Sequence, residues 1–191
     1  IRDIEIINVE LILADLEVIQ NRINKLGKKV SMTKDNSELL EINTLNKCIE
    51  NLEKNIPLRL VEFDEFELGV LKNFSLITLK PIIYAANVSE DTIEIGKNEY
   101  TEMVSEYASR EKAGVIVMCA KIEEELADMS DEDRAIFMEE LGIQNSGLDK
   151  LIFATYNLLG LATFFTAGTD ECRAWTFKKG MKAPECAGII H

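Results

Sequence analysis

Two stretches decide the fold. They are Pro81-Ile82-Ile83-Tyr84-Ala85-Ala86, followed by Asn87-Val88-Ser89-Glu90, and Val115-Ile116-Val117-Met118-Cys119, followed by Ala120-Lys121. Both runs are almost wholly apolar, the composition of strands buried on both faces, and Pro81 belongs at the start of its strand, where no ladder hydrogen bond is lost. Between them Tyr100, Met103, Val104, Tyr107 and Ala108 trace one face of a helix. Strand, helix, strand, helix is the order of a parallel sheet covered by helices, so the class is α/β. Ser130 with Asp133 predicts a capping box for a helix through Phe137, Met138 and Leu141 that ends at Gly142. Leu148 to Leu159 predicts one more helix.

Outward from this centre the pattern changes. From about Ile4 to Leu26, Ile6, Val9, Leu13, Leu16 and Ile23 recur three and four apart, with a second stripe through Ile7, Leu11 and Val18. A polar stretch from Gly27-Lys28-Lys29 to Asn36-Ser37 interrupts the period, and Leu39, Ile42, Ile49 and Leu52 restart it. Two helices joined by a polar loop predict an antiparallel helical hairpin. A third helical pattern, Phe66, Val70, Leu71 and Phe74, lies between Asp64 and Leu76. Packing accounts for all these stripes, with a partner-binding groove as the alternative. On the other side, Thr163-Phe164-Phe165-Thr166 and Cys172-Arg173-Ala174-Trp175-Thr176-Phe177 flank a turn at Ala167-Gly168-Thr169-Asp170. A strand-like pattern runs on to His191 and the chain opens on Ile1, so both ends are expected to be cut.

Composition narrows the function. The chain has 191 residues, 47% hydrophobic and 29% charged, which suffices for a sizeable core. A net charge of -13 argues against a continuous basic footprint for duplex nucleic acid and leaves room only for a local patch. Lys178, Lys179 and Lys182, beside Trp175 and Phe177, make such a cluster; it reads as a solvated turn next to core aromatics, with a docking patch as the alternative. The four cysteines, Cys48, Cys119, Cys172 and Cys186, form no C-x-x-C pair, and the single histidine is His191. Reduced cytosolic thiols are expected, with no metal or redox site. Leu151 to Thr169 is uncharged throughout but turns β-branched and aromatic after Gly160. It reads as a helix followed by a strand, so no membrane partner is expected.

In open parallel sheets ligands bind beyond the carboxyl ends of the strands, which draws attention to the residues after Ala86 and Met118. P-loop GTPases place N-K-x-D after one such strand and S-A-K after the next, and together these read the base. Asn87-Val88-Ser89-Glu90 and Cys119-Ala120-Lys121 resemble that pair in order and context, with Val88 for Lys, Glu90 for Asp and Cys119 for Ser. An Asp carboxylate accepts two donors from guanine, and Glu90, one methylene longer, would misplace that fork. An Asn amide offers the donor and acceptor that adenine's ring nitrogen and exocyclic amine require. The candidate base-binding set is therefore Asn87, Val88, Glu90, Cys119, Ala120 and Lys121. Cys119 also reads as an inert small residue at the end of a buried strand. Glu123-Glu124-Glu125 reads as a solvated helix start, since adjacent helical residues do not share a face.

A wider resemblance runs along the chain. Asp3-Ile4-Glu5, Leu11-Ile12-Leu13-Ala14-Asp15-Leu16, Leu79-Lys80-Pro81, Ala86-Asn87-Val88-Ser89-Glu90, Phe137-Met138-Glu139-Glu140-Leu141-Gly142, Phe165-Thr166-Ala167-Gly168 and Arg173-Ala174-Trp175-Thr176 follow one another as in YchF-family sequences. The chain thus resembles an Obg-like ATPase of the P-loop class. The resemblance implies a coiled-coil insertion over residues 1–76, the C-terminal part of the nucleotide-binding domain over 77–160, and the start of a β-grasp TGS domain over 161–191. It also implies a cytoplasmic, ribosome- or RNA-associated ATPase that prefers ATP to GTP through N-x-x-E, here Asn87, Val88 and Glu90.

No G-x-x-x-x-G-K-[ST] occurs in the chain. The resemblance therefore assigns the phosphates, Mg²⁺ and the attacking water to residues upstream of Ile1, and this segment alone is expected to be inactive. The alternative is an interaction scaffold that docks its helical and β-grasp parts on a ribosome or a protein without hydrolysis. A nicotinamide dehydrogenase is disfavoured because its glycine fingerprint is missing.

Overall fold

Apolar residues at heptad spacing build the first long helix, α1 (Arg2–Val30), and choose the face that it buries. Ile12, Ile19 and Leu26 are buried, Leu16 and Ile23 fill the positions between them, and they meet Leu45, Cys48 and Leu52 of α2 (Asn36–Leu52). This differs from the expected stripes: Ile6, Ile7, Val9, Leu13 and Val18 are exposed. The alternation of three- and four-residue steps from Ile12 to Leu26 keeps one seam facing a neighbouring helix over four turns, whereas the other stripes have no such continuity. The helix also runs to Val30, past the expected break at Gly27. The computed structural model describes residues 1–30, 36–95 and 97–190, so the middle of the expected polar loop lies outside the described residues.

The chain divides into two compact units, Ile1–Pro81 and Ile82–His191. In the first, a single 3-10 turn (Leu58–Leu60) and α3 (Glu65–Leu71) complete the core with Leu58, Leu71 and Leu76. Asp64 and Glu67 form a capping box that starts α3, which stops at Leu71, short of the expected end, and leaves Phe66 exposed. Asp15 is the main polar joint of this unit. It is 2% exposed, and its carboxylate accepts the N–H of Ile77 at 2.8 Å, the N–H of Thr78 at 2.7 Å and the Thr78 hydroxyl at 2.6 Å. Nearby, burial and then the charge of Glu67 push the Cys48 thiol up to about 12, which leaves it a neutral core residue.

In the second unit β1 (Ile83–Asn87) pairs in parallel with β2 (Gly114–Met118), from Ile83 opposite Gly114 to Asn87 opposite Met118. The crossover between them carries α4 (Glu90–Ile95) and α5 (Glu99–Arg110), as a parallel pair requires. Asn98 and Thr101 form a capping box on α5, whose inward face is Thr101, Val104, Tyr107 and Ala108. Tyr100 and Met103, expected on that face, point outward, at 75% and 43% exposure. The inward stripe runs through Thr101, Val104 and Ala108, three and four apart, and Tyr100 and Met103 lie off it. Among the described residues this sheet has two strands, so β1 is only half-buried rather than covered on both faces.

After β2 come α6 (Ala120–Ala127), α7 (Asp131–Glu140) and α8 (Gly147–Leu158). The Ser130 hydroxyl accepts the Asp133 N–H and caps α7, while the Asp133 carboxylate takes the hydroxyl proton instead of closing a full box. Cys119, Ile122 and Leu126 form the core here, with Phe137, Met138 and Leu141 against them. The strands β3 (Leu161–Ala167) and β4 (Cys172–Lys178) then pair antiparallel.

The final segment corrects a sequence expectation: Ala183–Ile190 is a helix, α9, and not a strand. Pro184 fits the first helical turn, and the Glu185 carboxylate reaches back to accept the Lys182 N–H at 2.6 Å. No described helix is long and apolar enough to cross a membrane.

Removing the Asp15 carboxylate strands the buried N–H and hydroxyl of Thr78 and the part-buried N–H of Ile77. Asp15→Ala is expected to lower stability by about 3 kcal/mol in urea unfolding, and Asp15→Asn, which keeps one acceptor, by less.

Candidate functional site

A parallel pair brings the carboxyl ends of its strands to one edge, and here that edge gathers most of the candidate residues. Val88 donates its N–H to the Met118 carbonyl at 2.9 Å, one step beyond the last ladder pair. The Asn87 side chain then bridges the two turns: its Oδ1 accepts the Ala120 N–H at 2.9 Å. Lys121 and Glu90 close the outer side with an Nζ to Oε1 distance of 2.6 Å, and Glu125 stands 4.0 Å from the same ammonium. The Glu90 hydrogen bond, then the charges of Glu90 and Glu125, hold Lys121 above its ordinary value. Both partners are solvent-exposed, so the pair orients the turns more than it stabilises the fold.

The structure adds two details to the sequence expectations at this site. The Asn87 amide is expected to offer an acceptor and a donor to one base; its oxygen accepts the Ala120 N–H at 2.9 Å, which leaves a second lone pair on that oxygen and the Nδ2 donors. Cys119, included in the set, is 4% exposed and packed with Ile122 and Leu126, so its thiol belongs to the core and only its backbone can line the edge. The edge itself is open. Cavities of about 580 Å³ beside Arg22 and Phe74, and of about 620 Å³ beside Met138 and Ile143, include none of its residues.

One contact near this edge escaped the sequence. Glu123, read as part of a solvated helix start, accepts the N–H of Gly147 at 2.6 Å and that of Leu148 at 3.0 Å. Nothing local links positions 24 residues apart, so only the tertiary structure reveals the contact. At the other end of the unit, Trp175 donates to the Thr166 hydroxyl at 2.9 Å and carries Arg173 over its ring at 4.3 Å. Lys179 binds Asn157 Oδ1 at 3.0 Å, so one lysine of the basic cluster already has a partner. Among the described residues no group of three or more His, Cys, Asp and Glu is placed to hold a metal ion.

The ribosome-binding ATPase YchF of Bacillus subtilis (strain 168) is 55% identical over 192 residues, covering 100% of this chain and 52% of that protein. The ribosome-binding ATPase YchF of Escherichia coli O157:H7 is 42% identical over 189 residues, covering 99% and 51%. This chain is a homologue of the YchF proteins. The solved structure of the Schizosaccharomyces pombe YchF GTPase superposes with a TM-score of 0.85 and 31% identity, covering 100% of this chain and 52% of that one. The α/β architecture described above thus matches about half of that YchF GTPase. A family model, YchF-GTPase_C, described as a protein of unknown function (DUF933), matches residues 161–191. The chain spans about half the length of the curated YchF relatives that it matches.

The Asn87 bridge makes a local prediction. In Asn87→Ala the Ala120 amide loses its acceptor, and its hydrogen exchange is expected to accelerate about tenfold, while the β1–β2 ladder amides keep their protection.

Proposed function

We propose that this chain supplies the base-reading part of a YchF-type nucleotide hydrolase that takes ATP in preference to GTP and works at the ribosome. The observation that carries this reading is the pairing of Glu90 with Lys121 beside the Asn87 bridge. Both purines offer N7 as an acceptor, so Asn87 Nδ2 serves either one and reads a purine rather than a particular purine. Discrimination comes from the other edge. Guanine presents ring and exocyclic N–H donors together, which call for a carboxylate that accepts both, and Glu90, the candidate carboxylate at this edge, is engaged by Lys121 at 2.6 Å. Adenine presents one exocyclic amine beside a ring acceptor and does not call for a carboxylate that takes two donors at once, whereas guanine would have to compete with Lys121 for Glu90. Backbone at Val88 and around Ala120 lines the rest of the base.

Chemistry lies elsewhere in the intact protein. Phosphoryl transfer is catalysed by positioning and charge stabilisation at the β- and γ-phosphates, and no residue of this chain is assigned to that work. Phosphates and Mg²⁺ would be held by residues outside this chain, and the 191-residue segment alone is inactive and binds ATP weakly. In the same reading residues 1–76 are a helical insertion, 77–160 complete the nucleotide-binding domain, and 161–191 begin a TGS-type β-grasp domain, all in the cytoplasm. The names of the Bacillus and Escherichia relatives support the ATPase and the ribosome as partner.

A scaffold that docks without hydrolysis is the second reading, favoured by the 79% exposure of Phe165 and the 65% exposure of Phe153. One titration separates the two. Labelled ATP bound to the intact protein should be displaced better by ATP than by GTP, and Lys121→Met, which frees Glu90, should narrow the difference by about tenfold. Equal competition in the unaltered protein overturns the adenine preference, and binding of neither nucleotide moves the scaffold to first place.

A further inference from the structure

The turn that presents Ala120 and Lys121 is short, and both of its ends are pinned by the same helix. At one end Met118 closes β2 and packs against Gly147; a methyl group on Gly147 would lie 2.7 Å from Met118 Cβ and 2.8 Å from Glu123 Oε1. At the other end Glu123, in the first turn of α6, grips the Gly147 and Leu148 amides at 2.6 and 3.0 Å. The remaining free amide of that helix start, Asp149 N–H, is capped by the Ser146 hydroxyl at 3.0 Å, and Lys150 N–H already bonds the Ser146 carbonyl. The start of α8 is therefore fully satisfied, with a carboxylate where the helix dipole favours negative charge. Ser146 alone would have served as an ordinary cap. The second acceptor, brought from α6, adds a tether between helices.

We propose that Glu123 is a positioning residue for base recognition: by clamping α6 to the start of α8, it holds the Ala120 amide against Asn87 and Lys121 against Glu90. The inference rests on the base-reading role given to those residues above. Gly147 is the other half of the device, because only glycine lets α8 approach Met118 and Glu123 this closely. Without the clamp α6 is still anchored by Ile122 and Leu126, so its first turn can shift while the helix persists.

A purely structural cap and a positioning clamp differ in what they change. The test uses the intact protein at a temperature where each variant is folded by circular dichroism. It measures thermal midpoint, the ratio of GTP to ATP dissociation constants, and hydrogen exchange at Ala120. Glu123→Ala should lower the midpoint, reduce the ratio about tenfold and accelerate Ala120 exchange. Glu123→Gln keeps one acceptor and should restore part of all three. It also keeps the test open if Glu123→Ala fails to fold. Gly147→Ala should reproduce the loss of selectivity from the opposite side. A lowered midpoint with an unchanged ratio and unchanged Ala120 exchange would reduce Glu123 to a helix cap and overturn the inference. Asn87→Ala run in parallel separates the two levels: if it leaves ATP affinity untouched the base-site reading falls, whereas if it weakens ATP while Glu123→Ala does not alter selectivity, only the clamp falls.

Discussion

The parallel register of β1 and β2 is the constraint on which the candidate site depends. Because the strands run the same way, Asn87 and Met118 end the sheet side by side, and the turns that follow emerge together. A side chain at the end of one strand can then satisfy a backbone amide at the start of the helix after the other, as Asn87 does for Ala120. An antiparallel pair would send those turns to opposite edges. The α4 and α5 crossover is the cost of this arrangement, and the capping box on α5 with buried Thr101 and Ala108 makes that helix well defined.

In each unit, taken by itself, charge and backbone are divided in a consistent way. Acidic groups are placed where amides or an ammonium meet them: Glu90 on Lys121, Glu123 on the start of α8, and Asp15, in the first unit, on Ile77 and Thr78. The strongly negative total thus includes carboxylates that hold turns and helix starts in place, and not only a solvated surface. Apolar packing locates the elements, and these few charge-assisted bonds fix the angles at which they meet.

How much of this was legible in the sequence follows from the range of each interaction. The two strands, the helical crossover between them and the Ser130 N-cap are local patterns legible in the sequence, although β1 runs on to Asn87 and is half-buried, and the Ser130 cap lacks the reciprocal bond of a full box. The buried face of α1 was not legible, because Ile6, Ile7, Val9, Leu13 and Val18 compete with the seam from Ile12 to Leu26, and only the position of α2 decides between them. The end of the chain was misread for a compositional reason: Ala183–Ile190 is apolar enough to pass for a strand, and the sign of a helix is Pro184 followed by the reach of Glu185 to Lys182. The bonds of Asn87 to Ala120 and of Glu123 to Gly147 join residues 33 and 24 positions apart, so no local pattern contains them.

The account stands or falls on where a purine sits relative to Asn87. The most direct measurement is a crystal structure of the intact protein with a non-hydrolysable ATP analogue. The account predicts adenine N7 within hydrogen-bond distance of Asn87 Nδ2, with the Asn87 bridge to Ala120 and the Glu90–Lys121 pair intact. Adenine bound away from this edge, or Glu90 turned from Lys121 onto the base, would contradict it.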